Sequence, residues 1–206
     1  MNILFMGASG SGKGTQAKLL NKKYNLCHVS MGDLFREAKE KGTPNGLIAY
    51  DYVKNGNLVP LEITVKVLND KIHSEKDVNG FIVDGFPRTV EQAEILDIPV
   101  DAVIYFKNDL NKLAARLMGR RTCAKCGGIF HTSTLTTTSC PTCGGELTIR
   151  EDDNEASITK RFNFFKNETV PAVDYYREKG LVYEINADLS KEEVFEQIDN
   201  VIKKLI

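Results

Sequence analysis

Short uninterrupted apolar runs alternate along most of this chain with longer segments whose apolar residues recur every three or four positions. The runs cover residues 2–6, 26–29, 81–83, 102–106 and 181–185. Because the runs are rich in β-branched and aromatic residues, they predict strands buried on both faces of a parallel sheet. The segments between them have the spacing of amphipathic helices. These helices are predicted to begin at Lys13, to follow a Ser30 cap through Lys39, to cover 45–55 and 61–73, and to follow a Ser190 cap over 191–206. Strands that alternate with helices indicate an α/β fold whose ligands bind at the carboxyl ends of the strands.

One segment, residues 122–149, departs from this alternation. It contains several glycines, a threonine-rich stretch (TSTLTTTS) and only five large apolar side chains, which are Ile129, Phe130, Leu135, Leu147 and Ile149. Burial of so few side chains cannot offset the conformational entropy that is lost when the segment becomes ordered. The segment therefore needs another source of order.

Cysteines are the candidate for that source. They form two C-x-x-C pairs, Cys123 with Cys126 and Cys140 with Cys143, separated by thirteen residues and each followed by Gly-Gly. This spacing is typical of a zinc ribbon, in which four thiolates hold a structural zinc ion with no open position. Two disulfides, or free thiols in an exposed loop, are the alternative. His131 lies close by in the sequence and is expected to be a surface side chain.

Composition changes this picture little. The chain has 206 residues, of which 42% are hydrophobic and 27% charged, and its formal net charge is −1, as in an ordinary globular protein with one core and insertions. The chain has no excess of basic residues, which would indicate nucleic acid or an anionic membrane as a partner. The N-terminal stretch MNILFMGASG has neither the basic region of a signal peptide nor the length of a membrane span. A cytoplasmic location is expected, with Cys27 as a buried thiol.

The first predicted strand leads into GASGSGKGT, residues 7–15, at the end of the sheet where ligands bind. In a glycine-rich turn before a helix, backbone N–H groups surround an anion and the helix dipole adds to the attraction. Lys13 supplies a full positive charge for nucleotide β- and γ-phosphates. A standard P-loop has Ser or Thr directly after this lysine as a Mg²⁺ ligand, whereas this chain has Gly14 there and Thr15 one position later.

Arginines are unusually frequent beside the predicted loops and inserts. Six stand in such places, namely Arg36, Arg88, Arg116, Arg120, Arg150 and Arg161. The spacing of Arg116 and Arg120 predicts that both lie on one face of a helix at the edge of the cysteine-rich segment. Arginine binds phosphate oxygens through two parallel hydrogen bonds. A single arginine is commonly solvated, but six around two inserts favour a polyanion larger than one triphosphate.

Six motifs in order, GASGSGKGTQ, VSMGDLFR, NLVP, VDGFPRTVEQ, LMGRR and REDDNEASITKRF, resemble the adenylate kinase family in its zinc-lid, bacterial-type form. The resemblance runs from Met1 to the C-terminal helix. It implies a P-loop NTPase fold with a central parallel sheet flanked by helices. The implied parts are a core of residues 1–29, 60–118 and 157–206, a helical insert at 30–59 that binds the nucleoside monophosphate, and a mobile zinc-ribbon lid at 119–156.

The resemblance also implies a reaction and the residues that carry it. The reaction is the reversible, Mg²⁺-dependent conversion of ATP and AMP into two ADP, by a monomer. The implied ATP contacts are Gly10, Ser11, Gly12, Lys13, Gly14, Thr15, Arg120, Ile129 and Phe130. The implied AMP contacts are Met31, Arg36, Asn57, Leu58, Val59, Gly85, Phe86, Pro87, Arg88, Gln92, Arg150 and Arg161. The implied catalytic group is Lys13 with Arg88, Arg116, Arg120, Arg150 and Arg161, gathered around the transferring phosphoryl group when the lid closes.

The metal arrangement follows from the same resemblance. In this family glycine normally follows the P-loop lysine, so Gly14 is as expected and Mg²⁺ would be held mainly by phosphates and waters. Asp84, at the end of the FIVD run, would orient those waters, or it would instead cap the GFPR turn. Asp152 and Asp153 are expected either to form charge pairs that bias the lid or to belong to a solvated acidic turn.

Three features depart from the family pattern. Ser9 stands where the family usually has proline, which is expected to loosen the phosphate loop slightly. Met31 stands where a threonine normally contacts the monophosphate nucleoside, so the KM for AMP is expected to rise with kcat mostly retained. The lid is a few residues shorter between its cysteine pairs, which should leave zinc binding intact.

Two other functions stay open on the sequence. A nucleoside-monophosphate kinase acting on UMP or CMP would share these motifs, although Gln92 and the threonine after GFPR favour AMP. An ATP-switched zinc-ribbon module that binds nucleic acid would need a basic face and aromatic residues spaced for base stacking. The net charge of −1 and the lack of tryptophan argue against such a module.

Overall fold

A computed structural model describes all 206 residues, and its centre is a sheet of five parallel strands. The strands of the protein are β1 (Asn2–Gly7), β2 (Cys27–Ser30), β3 (Phe81–Asp84), β4 (Ala102–Lys107), β5 (Arg120–Cys123), β6 (Ile129–His131), β7 (Leu147–Thr148) and β8 (Val182–Asn186). The central sheet has the order β2-β3-β1-β4-β8. The five apolar runs supply these five strands, with a shift of one residue at β2 and β8. The predicted α/β fold with a central parallel sheet is therefore confirmed.

Nine α-helices and one π-helical segment accompany the strands. The helices are α1 (Lys13–Tyr24), α2 (Met31–Glu40), α3 (Pro44–Lys54), α4 (Leu61–Ser74), α5 (Val90–Glu94), α6 (Leu110–Met118), α7 (Glu155–Phe164), α8 (Val170–Glu178) and α9 (Lys191–Ile202). The π-helical segment Phe165–Thr169 joins α7 to α8. The sequence pattern does not predict α5, α7 or α8. Helix α5 has only five residues, and the π-helical segment interrupts the 3.6-residue period between α7 and α8.

The core lies on both faces of the central sheet because successive strand residues point to opposite sides. On β1, Leu4 and Met6 belong to the cluster that includes side chains of α2, α4 and α8. Ile3 and Phe5 belong to the cluster formed with α1 and α9. All four side chains are at most 2% exposed. Burial on both faces explains why this strand is a continuous apolar run.

Side-chain caps set the starts of several helices. The Ser30 hydroxyl accepts a hydrogen bond from the Asp33 N–H at the start of α2. Ser190 and Glu193 form a capping box at the start of α9. Both predicted caps are confirmed. Thr43 caps α3, so this helix begins one residue earlier than the pattern predicts.

The junction between α6 and β5 corrects one prediction. Helix α6 ends at Met118, and Arg120 is the first residue of β5, so Arg116 and Arg120 do not share a helix face. At Gly119, a Cβ atom would lie 2.1 Å from His131 Nε2, so any other residue there would require the His131 ring to move. Arg120 pairs with His131 across β5 and β6.

The cysteine-rich segment forms a second, antiparallel sheet with the order β6-β5-β7. Thr122 of β5 pairs with Ile129 on one side and with Thr148 on the other. We call this three-stranded unit the small sheet. None of the helices combines the length and the apolar character that crossing a membrane requires.

Candidate active site

A cavity of about 710 Å³ opens at the carboxyl ends of β1 and β3. Its walls come from the loop after β1, the loop after β3, the α2–α3 segment and the small sheet. Every nucleotide-contacting residue expected from the sequence lines this cavity except Met31 and Phe86, and all six predicted arginines and Asp84 lie on its wall. The tertiary structure thus brings residues as distant as Gly10 and Arg161 to one site.

Met31 and Phe86 lie in the core instead. Each is 1% exposed, and both belong to the hydrophobic cluster on the α2, α4 and α8 side of the central sheet. The structure does not bring either side chain to the cavity. Their contacts with AMP, and the expected effect of Met31 on the KM for AMP, stay predictions.

The phosphate loop presents unoccupied donors to the cavity. Gly12 has a left-handed backbone (φ 95°) that starts α1, a conformation that glycine adopts without strain. The N–H groups of Gly12, Lys13 and Gly14 donate to no backbone acceptor. The Lys13 ammonium donates to the Gly7 and Ala8 carbonyl oxygens, both at 2.9 Å. Burial lowers the pKa of Lys13, although Asp84 opposes this shift. An anion in the loop would therefore meet several free donors and a desolvated cation.

Asp84 stands beside this loop. Its carboxylate lies 3.9 Å from Lys13 Nζ and 3.8 Å from His28 Nε2, and no backbone N–H of the turn that follows β3 is among the groups that shift its pKa. Burial alone would raise the pKa of Asp84, but Lys13 and His28 outweigh it and lower the pKa below its usual value. An ionised carboxylate without capping bonds fits a group that orients metal-bound waters better than one that caps the turn.

Gly14 is not required by packing. A Cβ atom there would lie 3.9 Å from His28 Cε1 and 3.9 Å from Ile129 Cδ1, which is ordinary van der Waals contact. The missing hydroxyl at this position is therefore a chemical feature of the loop, not a consequence of crowding.

Carboxylates hold four of the six arginines. Asp153, whose side chain is fully buried, binds Arg120 through two bonds of 2.7 and 2.5 Å and also contacts Arg161 at 3.2 Å. Asp152 binds Arg161 at 2.8 Å. The expectation of charge pairs at Asp152 and Asp153 is confirmed, and the solvated-turn alternative is wrong because both residues are at most 7% exposed.

Asp33 contacts the other two of these four arginines, Arg36 and Arg150. It binds Arg36 at 2.5 Å and lies 3.6 Å from Arg150. Burial would raise the pKa of Asp33, but Arg36 and Arg150 lower it to about 2. Burial, with Arg36 and Arg120 nearby, lowers the pKa of Arg150 to about 10. An added anion would offset this crowding of guanidinium groups.

Arg88 and Gln92 form a different arrangement. The Arg88 N–H donates to Gln92 Oε1 at 2.7 Å, and Arg88 Nε donates to the Gly85 carbonyl at 2.9 Å. Arg88 forms no ion pair with a carboxylate, and burial lowers its pKa. Gln92 is 1% exposed, and its Nε2 has no hydrogen-bond partner. Both residues thus keep free donors for a ligand.

Arg116 also lines the cavity, and its Nη1 is 3.5 Å from the Ala187 carbonyl oxygen.

Two residues at the site were not predicted from the sequence. They are Lys191, at the start of α9, and His28, beside Asp84. Two sequence signals could have found them. His28 is a polar residue inside an apolar strand, and Lys191 follows the Ser190 cap at the carboxyl edge of the sheet. His131 is half-buried: it lines the cavity and its buried Nε2 has no partner, while its Nδ1 lies 2.7 Å from the Ser133 hydroxyl in an exposed turn. It lies outside the cluster of four cysteines, as expected.

The four cysteines of the small sheet form one cluster. Their sulfur atoms all lie within 4.8 Å of one another, with Cys123 and Cys143 at 3.5 Å and Cys126 and Cys140 at 3.7 Å. Tetrahedral thiolates about 2.3 Å from a zinc ion would be about 3.8 Å apart, whereas a disulfide requires about 2.05 Å. Two backbone N–H groups point at the Cys123 sulfur, at 3.4 and 3.5 Å. The donor set fits a metal ion held by four thiolates.

The small sheet lies over the phosphate loop. The Lys18 ammonium of α1 donates to the Gly127 carbonyl at 2.9 Å, and Lys39 of α2 pairs with Glu151 at 3.1 Å. With the Arg150 to Asp33 contact, they join residues 119–156 to α1 and α2 beside the cavity.

Comparison with known proteins identifies the relatives of this chain. Residues 5–181 match the family model described as Adenylate kinase. The chain is 44% identical to the adenylate kinase of Desulforamulus reducens, over 91% of this chain and 93% of the relative. It is 39% identical to that of Clostridium tetani over 98% of both chains, and 38% identical to that of Archaeoglobus fulgidus over 100% and 99%.

Proposed function

This chain belongs to the adenylate kinase family, and on that premise we propose how its own residues carry out the reaction. It is a nucleoside-monophosphate kinase, a phosphotransferase whose substrates are ATP, AMP and ADP. One observation carries the assignment of roles. Lys13 and six arginines converge on a single cavity beside the phosphate loop.

The phosphate loop is the proposed ATP site. The free N–H groups from Gly12 to Gly14 would donate to phosphate oxygens, and the Lys13 ammonium would exchange its loop carbonyls for the same acceptors. Arg120 would contact the same phosphates, while Ile129 and Phe130 of β6 would cover the adenine of ATP. The remaining ATP contacts proposed are Gly10, Ser11 and Thr15.

The loop after β3 is the proposed AMP site. Arg36 and Arg88 would hold the AMP phosphate, because Arg88 has two terminal nitrogens without partners and forms no ion pair with a carboxylate. The free Nε2 of Gln92 would donate to a ring nitrogen of the AMP adenine. The backbone at 57–59 would face the same base, and Gly85 and Pro87 complete the wall.

The chemistry needs positioning and positive charge. An oxygen of the AMP phosphate attacks the γ-phosphorus of ATP, the bond to the bridging β-phosphate oxygen breaks, and the electron pair leaves with ADP. Arg120, Arg150 and Arg161 would stabilise the charge on the transferring group, with Arg116 beside them. No general base is required because the attacking phosphate is already ionised. Contacts between the small sheet and the core would keep water from accepting the phosphoryl group.

Two metal ions belong to the proposal. Cys123, Cys126, Cys140 and Cys143 would hold zinc, which would supply structural order to residues 119–156 and no chemistry. Mg²⁺ bound with ATP supplies charge neutralisation of the phosphates. Asp84 would orient the waters around it, since its carboxylate is ionised and free of capping bonds.

We further propose that residues 30–59 and 119–156 move as an AMP-binding insert and a lid against the core. A monomer would suffice, because one chain supplies every wall of the cavity. A cytoplasmic location would keep the four thiols reduced for metal binding.

A coupled assay for ADP formation tests these roles. ATP should support turnover with AMP far better than with CMP, UMP or GMP, and a preference for CMP or UMP would contradict the AMP assignment. A zinc chelator should abolish activity only on heating, because zinc orders the lid without joining the reaction. Immediate loss of activity at low temperature, with the fold intact by circular dichroism, would contradict a purely structural zinc.

A further inference from the structure

Thr169 ends the π-helical segment and lies on the cavity wall. It is 6% exposed, and its hydroxyl donates a hydrogen bond of 3.1 Å to the backbone carbonyl of Arg88, 81 positions away in the sequence. A threonine in a helix commonly donates to a carbonyl of its own helix one turn earlier. Here the hydroxyl joins the helix to the loop after β3.

This bond completes a clamp on the Arg88 backbone. The Arg88 N–H is held by Gln92 Oε1 at 2.7 Å, and the Arg88 carbonyl is held by Thr169. Within the side chain, Nε is held by the Gly85 carbonyl at 2.9 Å. Only the two terminal nitrogens stay free to meet an anion.

Charges of both signs surround the clamped side chain. Arg36 and Arg161 disfavour the charged form of Arg88, whereas Asp84 and Asp152 favour it without forming an ion pair with it. A fixed backbone limits how far the guanidinium can turn toward either carboxylate or away from the other guanidinium groups. Thr169 is continuous with α7, which carries Arg161, so its hydroxyl also fixes the spacing between Arg88 and Arg161.

We propose that Thr169 is a positioning residue for AMP, whose hydroxyl holds the Arg88 backbone so that the guanidinium is preorganised for the AMP phosphate. The inference rests on the proposed role of Arg88. It concerns a hydroxyl that is bonded to the Arg88 carbonyl, so its effect on AMP is exerted through Arg88.

Steady-state kinetics of three variants test the inference. Thr169→Val keeps the shape and removes the hydroxyl, so the KM for AMP should rise about 10-fold, equivalent to about 1.4 kcal/mol. The KM for ATP should change less than about twofold. Thr169→Ser keeps the hydroxyl and should hold the KM for AMP within about threefold. Thr137→Val removes a hydroxyl that donates to the Ser139 carbonyl outside the cavity, and it should change neither constant.

Two results would overturn the inference. One is an unchanged KM for AMP in Thr169→Val, whatever its melting temperature. The other is a serine variant as impaired as the valine variant. Thr169→Ala, tested in parallel, keeps the inference falsifiable if the valine variant fails to fold.

A double-mutant cycle separates this inference from the proposed function. In an Arg88→Lys background, Thr169→Val should add less than about twofold to the KM for AMP, because the group that it positions is gone. If Arg88→Lys leaves AMP use intact, the role proposed for Arg88 is wrong. If Arg88→Lys impairs AMP use and Thr169→Val does not, only the inference about Thr169 is wrong.

Discussion

Arg88→Lys is the sharpest test of the phosphate site, because it retains the positive charge and removes the planar fork. In the structure the guanidinium uses Nε to hold the Gly85 carbonyl at 2.9 Å and keeps its two terminal nitrogens free. A lysine ammonium cannot hold this carbonyl and bind two phosphate oxygens in parallel. The variant therefore loses at least one charge-assisted bond to phosphate and weakens another.

The size of the effect follows from these bonds. A hydrogen bond to a charged group contributes about 1.5–3 kcal/mol, so the change should remove about 2–4 kcal/mol of transition-state binding. Each 1.4 kcal/mol is a factor of ten, which gives a loss of about 30-fold to 10³-fold in kcat/KM for AMP. Folding should change little, since Gln92 and Thr169 still hold the backbone at position 88.

The assay is coupled ADP formation at saturating ATP with AMP varied. Arg177→Lys is the matched control, because Arg177 pairs with Asp174 and Glu184 at the surface and lies outside the cavity. The control should keep kcat/KM for AMP within about twofold. If Arg88→Lys also stayed within about threefold of the unmodified protein, the reasoning from the arginine fork would be refuted.

Two further predictions concern buried carboxylates. Asp153→Ala should lower stability by about 3–5 kcal/mol and the melting temperature by roughly 10 °C, because Arg120 and Arg161 lose a fully buried partner, whereas Asp174→Ala at the surface should change it by less than about 2 °C. Equal melting temperatures for the two variants would contradict the buried pairing. Burial would raise the pKa of Asp199, but bonds from its neighbours lower it, so this carboxylate stabilises the fold above about pH 3.9 and that contribution is lost as the pH falls toward the folded pKa. Urea titrations between about pH 5 and pH 2 should show a smaller loss of stability with acid in Asp199→Asn, and an identical slope would contradict this assignment.

Features that depend on local chemistry were predictable. The five central strands follow from continuous apolar runs, and the caps at Ser30 and Ser190 follow from a hydroxyl placed before a helical pattern. The phosphate loop and the cysteine cluster also follow from spacing, since each requires a few residue types at short separations. In all of these the residues that carry the signal are close in sequence, even where the strands or sulfur atoms that they place meet distant partners.

Helix boundaries near tertiary contacts were less predictable. The spacing of Arg116 and Arg120 is that of a helix face, yet α6 ends between them. Arg120 instead pairs with His131 across β5 and β6, a contact between residues eleven positions apart that helical spacing does not reveal. The same limitation applies to α7 and α8, where the π-helical segment changes the phase of the pattern.

The sequence by itself determined the fold class, the phosphate loop, the spacing of the four cysteines and the set of arginines, because each of these is recorded in residue types at short separations along the chain. Only the tertiary structure decided which carboxylate holds each arginine, that Met31 packs into the core, and that Thr169 reaches Arg88. Those outcomes depend on the rotation of each helix about its axis and on the register of strands, which long-range packing sets and which sequence spacing does not record.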